Sequence, residues 1–388
     1  MDKQFQLSNR LKTACIVLIV IGLIALAYGF FTSTQQTWAN ILLNNYYFVS
    51  LSIGAAFFLA LQYITQSGWS AMFKRVPEAM NFYLPAGALL MLLLYFGMHH
   101  LYHWSHHDAA AHDALIRHKA PYLNTPFFYI RLVVFFALWI WMSLTLRKLS
   151  LREDTEGGLA LFEKSELYSK IYIFIIAITF SLASFDWIMS IDVHWYSTLF
   201  ALKNFVTAFY HGTAVIVLIA ILLHQQGHYP GLNKSHLLDF SRYLFMLSIV
   251  WGYFFFAQFM LIWYSNIPEE TIYFYRQWHG GYKVIFYVNV VANWFIPFIL
   301  LLARRMDQNI QVVKWVSILL VFGFWIDLYT QIFPGTVISP RFGFIEIGSF
   351  LGFAGLFTLI TAWALSRAPL IPRNHPYLEE SLQHHVES

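Results

Sequence analysis

The chain has 388 residues, of which 59% are hydrophobic and 19% aromatic, while only 11% carry a charge. A soluble domain carries roughly a quarter charged residues because its surface must be wetted, so 38 Phe and 14 Trp exclude a water-soluble globule and a disordered chain alike. Lipid is the expected solvent. The formal net charge of +4 is small and sorted by side of a membrane, which marks orientation and not nucleic-acid binding. Cys15 is the only cysteine, so an internal disulfide, a cluster held by several thiolates and a covalent c-type haem are excluded.

Ten apolar runs are long enough to cross the roughly 30 Å hydrocarbon core, at about 20 residues each. In chain order they are expected near 12–32, 45–65, 80–101, 127–147, 168–191, 198–223, 240–264, 279–303, 312–332 and 343–365. All are expected to be helices, because a span in lipid must satisfy its own backbone hydrogen bonds. The fold class is therefore all-α and integral to a membrane, a single domain over residues 1–365 followed by a tail from 366. Of the 24 Lys and Arg residues, Arg117, Lys119, Arg276 and Arg341 fall on the side away from the N-terminus. Arg131, Lys203 and Lys283 fall inside spans, and all the others, from Lys3 to Arg373, share the N-terminal side. That asymmetry and the even number of spans put both termini in the cytoplasm.

Lys3, Arg10 and Lys12 before the first run imitate a signal peptide, but the run from Ala14 to Phe31 is too long for an h-region and is expected to stay as a helix. Two long connections are expected, 102–126 outside and 148–167 inside. Pro369, Pro372 and Pro376 keep the start of the tail non-helical, and the segment from Tyr377 to Leu382 can form a short docking helix.

An ionisable residue inside a span costs at least ~2.5 kcal/mol at mid-bilayer, so each is a candidate for function. Asp186, near the outer end of span 5, and Lys203, near the outer start of span 6, are expected at matching depth, with Lys203 biasing Asp186. Arg131, Lys283, Asp327 and Glu346 complete an outer layer of three cations and three anions, with Asp192 and His194 just above it. Their structural role would be ion pairing between helices or snorkelling to the interface. Their functional role would be proton exchange, or contact with a quinone headgroup. His211 lies deeper, two turns from Lys203 and on a similar face. Asn289 and Asn293 share a face of span 8, where Pro297 should loosen the hydrogen bond to Asn293 and kink the helix. Gln258 and Tyr253 in span 7 are further polar candidates.

The outer 3–4 connection holds His99, His100, His103, His106, His107, His112 and His118. His99, His103 and His107 would share one face if the helix continued, a spacing that suits zinc or copper. Without thiolates no specific metal site is assigned. A bis-histidine haem needs paired deep histidines, and only His211 is deep.

The segment Asp186-Trp-Ile-Met-Ser-Ile-Asp-Val-His-Trp-Tyr-Ser-Thr (186–198) resembles the span 5–6 junction of the NrfD-like, polysulfide-reductase-type membrane subunits of alternative complex III. Residues 263–271 (Trp-Tyr-Ser-Asn-Ile-Pro-Glu-Glu-Thr) and 278–283 (Trp-His-Gly-Gly-Tyr-Lys) are similar to the same family. The opening, with Gly29-Phe30-Phe31 and then Trp38-Ala-Asn-Ile-Leu-Leu-Asn-Asn, resembles the smaller of that complex's two such subunits. The resemblance implies two four-helix bundles, spans 2–5 and 6–9, flanked by spans 1 and 10. It implies a subunit, not catalytic alone, of a respiratory quinol:cytochrome c oxidoreductase in the bacterial inner membrane. It further implies a sister NrfD-like subunit, an iron–sulfur subunit, c-type haem subunits and, in linked forms, a terminal oxidase as partners. On this reading the chain binds no redox cofactor of its own, and quinol is the only small molecule it would meet.

Asp186, Lys203, His211, Asp327 and Glu346 are then the expected proton path, and His99 or His100 with Asp186 the nearest match to a quinone-contacting pair. Two other readings compete. A secondary transporter would show paired Gly/Pro-interrupted spans and a midplane site, neither of which the sequence displays. A purely structural scaffold would use the same charges only as glue.

Overall fold

The computed structural model describes residues 5–106, 108–279, 281–303, 306–337 and 342–385. The expectations resting on Lys3, His107, Gly280, Arg304, Arg305 and Arg341 lie outside those residues. Among the described residues the chain is all helical, and ten helices are long and apolar enough to cross a membrane. They are span 1 (Asn9–Thr32), span 2 (Thr34–Ile64), span 3 (Ala71–Leu101), span 4 (Thr125–Glu156), span 5 (Leu159–Ile191), span 6 (Thr198–Gln225), span 7 (Lys234–Ser265), span 8 (Lys283–Leu302), span 9 (Ile310–Thr336) and span 10 (Phe344–Leu365).

All ten expected runs are present, with instructive differences in length. Span 2 begins at Thr34 and not near 45, because Gln36, Asn40 and Asn44, which lower the local hydropathy, are buried on the helix and bonded to neighbours. The long inner connection expected over 148–167 does not exist as a loop. Span 4 runs on to Glu156 and span 5 starts at Leu159. Only Gly157 and Gly158 turn the chain, with φ of 65° and 86°, a region that side chains with a Cβ seldom enter. Span 3 is broken into short α and 3₁₀ pieces; Pro77 and Pro85 lie within it, and each removes a backbone donor.

Span 2 is the central post. It is buried along nearly its whole length and touches spans 3, 5, 6, 9 and 10. Lipid gives no hydrophobic reason for helices to associate, so small residues and hydrogen bonds must hold them. Span 2 supplies both. Asn45 donates to the Gly87 carbonyl (2.9 Å), Asn44 donates to Ser349 (2.9 Å) and accepts from the Trp325 indole (2.9 Å), and Tyr47 donates to the Val321 carbonyl (2.7 Å). Tyr46 and Ser184 share a bond of 2.9 Å. One helix is thus tied to spans 3, 10, 9 and 5.

Its crossing with span 6 is made by Gly54 and Gly212. A Cβ on Gly54 would stand 1.9 Å from the Ala208 carbonyl oxygen, and one on Gly212 would stand 2.9 Å from Gly54. Spans 1 and 10 pair in the same way, since a Cβ on Gly22 would stand 2.5 Å from the Gly352 Cα. The other faces of span 1, including Leu23, Ile24 and Phe31, are exposed to lipid.

Gly54→Leu is expected to destabilise the protein by at least the ~1–3 kcal/mol typical of overpacking. Ile24→Ala, on the exposed face of span 1, should stay within about 0.5 kcal/mol of the parent. Thermal unfolding in mild detergent, followed by tryptophan fluorescence, compares them; equal midpoints would remove the glycine crossing as a determinant of the fold.

Candidate functional site

Spans 6, 8 and 9 converge on one buried carboxylate. Lys203 donates to both oxygens of Asp327 at 2.7 Å, Asn289 donates to Oδ1 at 2.9 Å and Gln331 donates to Oδ2 at 2.9 Å. All four side chains are buried, Asp327 completely. Bare ions here would carry a desolvation penalty of several kcal/mol each. The pair persists because two amides and the ammonium fill the acceptor sites, and the Lys203 ammonium also faces the Trp251 ring at 5.7 Å.

The amides extend the network inward. Asn293 donates to the Asn289 oxygen (2.6 Å) and to the Gly323 carbonyl (2.9 Å), and its own oxygen faces His211 Nε2 at 2.9 Å. Local backbone makes this possible. Residues Val291–Phe295 form a π turn, which inserts an extra residue and re-aims the side chains. Pro297 has no N–H for the Asn293 carbonyl, and Tyr210 supplies a donor instead at 3.2 Å. The expected loosening at Pro297 is therefore built into the site. Gly323 is required for space, because a Cβ there would lie 2.3 Å from the Asn293 oxygen.

The direction of each bond is fixed by the ionised Asp327, which can only accept. Asn289 must turn its NH₂ to the carboxylate, Asn293 must turn its NH₂ to Asn289, and His211 must donate from Nε2. His211 Nδ1 meanwhile sits 2.7 Å from the Thr207 carbonyl oxygen, also an acceptor only. A neutral imidazole has one N–H and the imidazolium two. A neutral ring therefore makes one of these two contacts as a donor, and the imidazolium makes both.

Asp186 belongs to a different pair. Arg131 of span 4 grips it with Nε at 2.7 Å and Nη2 at 3.1 Å. The guanidinium also donates to the Tyr122 carbonyl and lies over the Tyr122 ring at 3.9 Å. Burial and the neighbouring Asp186 carboxylate push the Tyr122 phenol up to about 12. Beside the pair a cleft of about 560 Å³ lies between the segment 118–123 and the C-terminal end of span 5 with the turn after it. Its walls include Leu182, Phe185 and Met189, and its polar groups include His118, Lys119, Tyr122 and Asp186.

No protein-family model matches the chain, and no curated protein matches it. The site is read from its own chemistry.

The remaining candidates do not join these two clusters in any described contact. Glu346 caps span 10, accepting from the Gly343 N–H (2.9 Å), Gln36 (2.5 Å) and Asn40 (3.0 Å). Lys283 is exposed at the start of span 8. His99 and His100 are exposed and lie outside the cleft beside Asp186; His99 Nδ1 contacts Ser105. The helix stops at Leu101, so His99 and His103 do not continue one helical face. Lys203 was expected beside Asp186, but the ion pairs run 4–5 and 6–9.

A further charged cluster, where the N-terminal end of span 3 meets the C-terminal end of span 4, has no counterpart in the expectations from sequence. Glu78 accepts from Arg75 (2.9 Å), Arg147 (2.5 Å) and Ser150 (2.6 Å). Lys74 pairs with Glu153, and Arg75 with Asp154. These cations were counted as cytoplasmic loop charges, yet Lys74, Arg75 and Arg147 are buried. The signal lay in Glu78, Glu153 and Asp154, which balance them one for one. The tail closes the cluster: the Arg373 N–H donates to Asp154, and His375 packs against Phe162 and Tyr63.

Burial, and then the positive charge of Lys74, pull the His375 imidazole down to about 2. In the unfolded chain it titrates near 6.5. Between those values the unfolded state binds the extra proton, so stability is complete above about pH 6.5 and is lost as pH falls, by up to ~1.4 kcal/mol per unit for this group. Acidification from pH 7 to 5 should therefore lower the melting midpoint of the parent more than that of His375→Phe. Parallel pH profiles would remove His375 as the cause.

Proposed function

We propose that the chain is the smaller NrfD-like subunit of a respiratory quinol:cytochrome c oxidoreductase in the bacterial inner membrane, where it supports quinol oxidation and conducts protons. The observation that carries this reading is the one-way hydrogen-bond chain from His211 through Asn293 and Asn289 to the Lys203–Asp327 pair. A scaffold needs neutral pairs only. The amides hold the two titratable ends in register and pass no proton themselves, and His211 and Asp327 are the groups that would take one up and release it.

On this reading spans 2–5 and 6–9 form two four-helix bundles with spans 1 and 10 alongside, and both termini are cytoplasmic. The neighbour pairs 2/5, 4/5, 6/7, 6/9, 7/8 and 8/9, with span 1 against span 10, support that grouping. The electrons would run through iron–sulfur and c-haem partner subunits next to a sister subunit of the same fold, and on to a cytochrome or a linked oxidase. The cleft beside Asp186 suits an amphipathic quinol: apolar walls from Leu182 and Phe185 lead to His118, Lys119 and Tyr122, the arrangement of mostly apolar lining and few polar groups usual in small-molecule sites. Asp186 would act there by holding Arg131 and keeping the Tyr122 phenol protonated. On this reading the headgroup contacts are His118, Lys119 and Tyr122 in preference to His99 or His100.

Removing one charge of a buried pair strands the other at about 3–5 kcal/mol, so single changes confound stability with function. Lys203→Met combined with Asp327→Asn removes both charges and keeps an acceptor for Asn289 or Gln331. The double variant is expected to assemble normally and to slow quinol-driven proton release on the order of 10²-fold. An assembled complex with parental turnover and parental proton stoichiometry would reject the assignment.

A further inference from the structure

We propose that Gln331 holds an ordered water between Asp327 and the outer surface, and that this water is the outer exit of the proton chain. The inference rests on the proton-conducting reading above and adds the exit to it.

Gln331 lies one turn after Asp327 on span 9 and donates its NH₂ to Asp327 Oδ2. The opposite orientation of the amide would set its oxygen against the carboxylate, so Oε1 must point away. That oxygen is buried and has no partner among the described residues. An unmade bond of this kind costs roughly 1–3 kcal/mol and calls for a water or a functional reason. Gln331 is among the residues that line a void of about 20 Å³, where roughly 10–15 Å³ is the minimum for a water.

The other walls of the void supply the partners. They include Asp192, Arg276, Gln277 and Tyr273. Asp192 and Arg276 form an ion pair at 2.5 Å, with the arginine side chain 39% exposed, so the far wall already meets bulk water. The void therefore has the buried amide of Gln331 and the part-exposed Asp192–Arg276 pair among its walls. While the Gln331 NH₂ covers Asp327 Oδ2, that water is kept off the carboxylate. When the amide swings aside, a proton on the Asp327 carboxyl passes to the water, Asp327 returns to the carboxylate that Lys203 balances, and the water releases a proton to bulk beside Asp192 and Arg276. Gln331 is thus a positioning residue and a gate.

Two measurements test this. A map of the full chain or its complex at a resolution that shows ordered waters should contain a water within hydrogen-bonding distance of Gln331 Oε1 and of a polar atom on the far wall. In sealed vesicles, with release normalised to the amount of assembled complex, Gln331→Leu should slow quinol-driven proton release by about tenfold or more. A dry void alongside active proton release overturns the exit and leaves the functional reading standing, as does parental release in Gln331→Leu. No proton release from the parent complex overturns both.

Discussion

A carboxylate that cannot reach water organises the meeting of spans 6, 8 and 9. Asp327 is completely buried, and each of its lone pairs must be met by a donor from the protein. Those donors come from three helices: Lys203 on span 6, Asn289 on span 8 and Gln331 on span 9 itself. The π turn at Val291–Phe295, the missing N–H of Pro297 and the missing Cβ of Gly323 are the backbone conditions under which Asn289 and Asn293 can face inward together. Each is unfavourable for a plain apolar helix. Together they form one solution to the satisfaction of a single anion.

The same constraint explains why the interior is polar at all. With lipid on the outside, apolar burial does little to choose which helix sits next to which. The choice falls to hydrogen bonds and close approach, and span 2 carries most of it through Asn44, Asn45, Tyr46, Tyr47 and Gly54. The buried clusters at opposite ends serve the same selectivity. Arg131 fixes span 4 to span 5 at one end of that helix pair, while Glu78 gathers Arg75 and Arg147 from spans 3 and 4 at the other end of span 4.

Hydropathy made the ten helices legible, since a run of about 20 apolar residues has few other fates. It failed where polar residues are buried. The start of span 2 was hidden by Gln36, Asn40 and Asn44, and the Glu78 cluster was hidden because Lys74, Arg75 and Arg147 look like ordinary loop cations. The sequence marked Asp186, Lys203 and Asp327 as charged residues within spans, and all three are buried. Their pairing could not be read from it, because helix rotation is set by contacts such as Gly54 with Ala208, which no single-chain pattern encodes. Asp186 and Lys203 are near in sequence, yet each finds its partner on another helix.

The two saturated pairs differ in what they leave open, and that difference bears on function. Arg131 takes both oxygens of Asp186 and is itself stacked on Tyr122, so the pair is a closed unit that shapes the cleft beside it. Lys203 and Asp327 are equally well matched, but their network does not close. It ends inward at a histidine whose two nitrogens both face acceptors, and outward at a glutamine oxygen with no partner among the described residues. A purely structural network lowers its energy by satisfying every member, since a half-satisfied one is worse than an apolar core. Open ends at both termini of a single polarised chain are a standing cost that the closed Arg131–Asp186 pair does not carry.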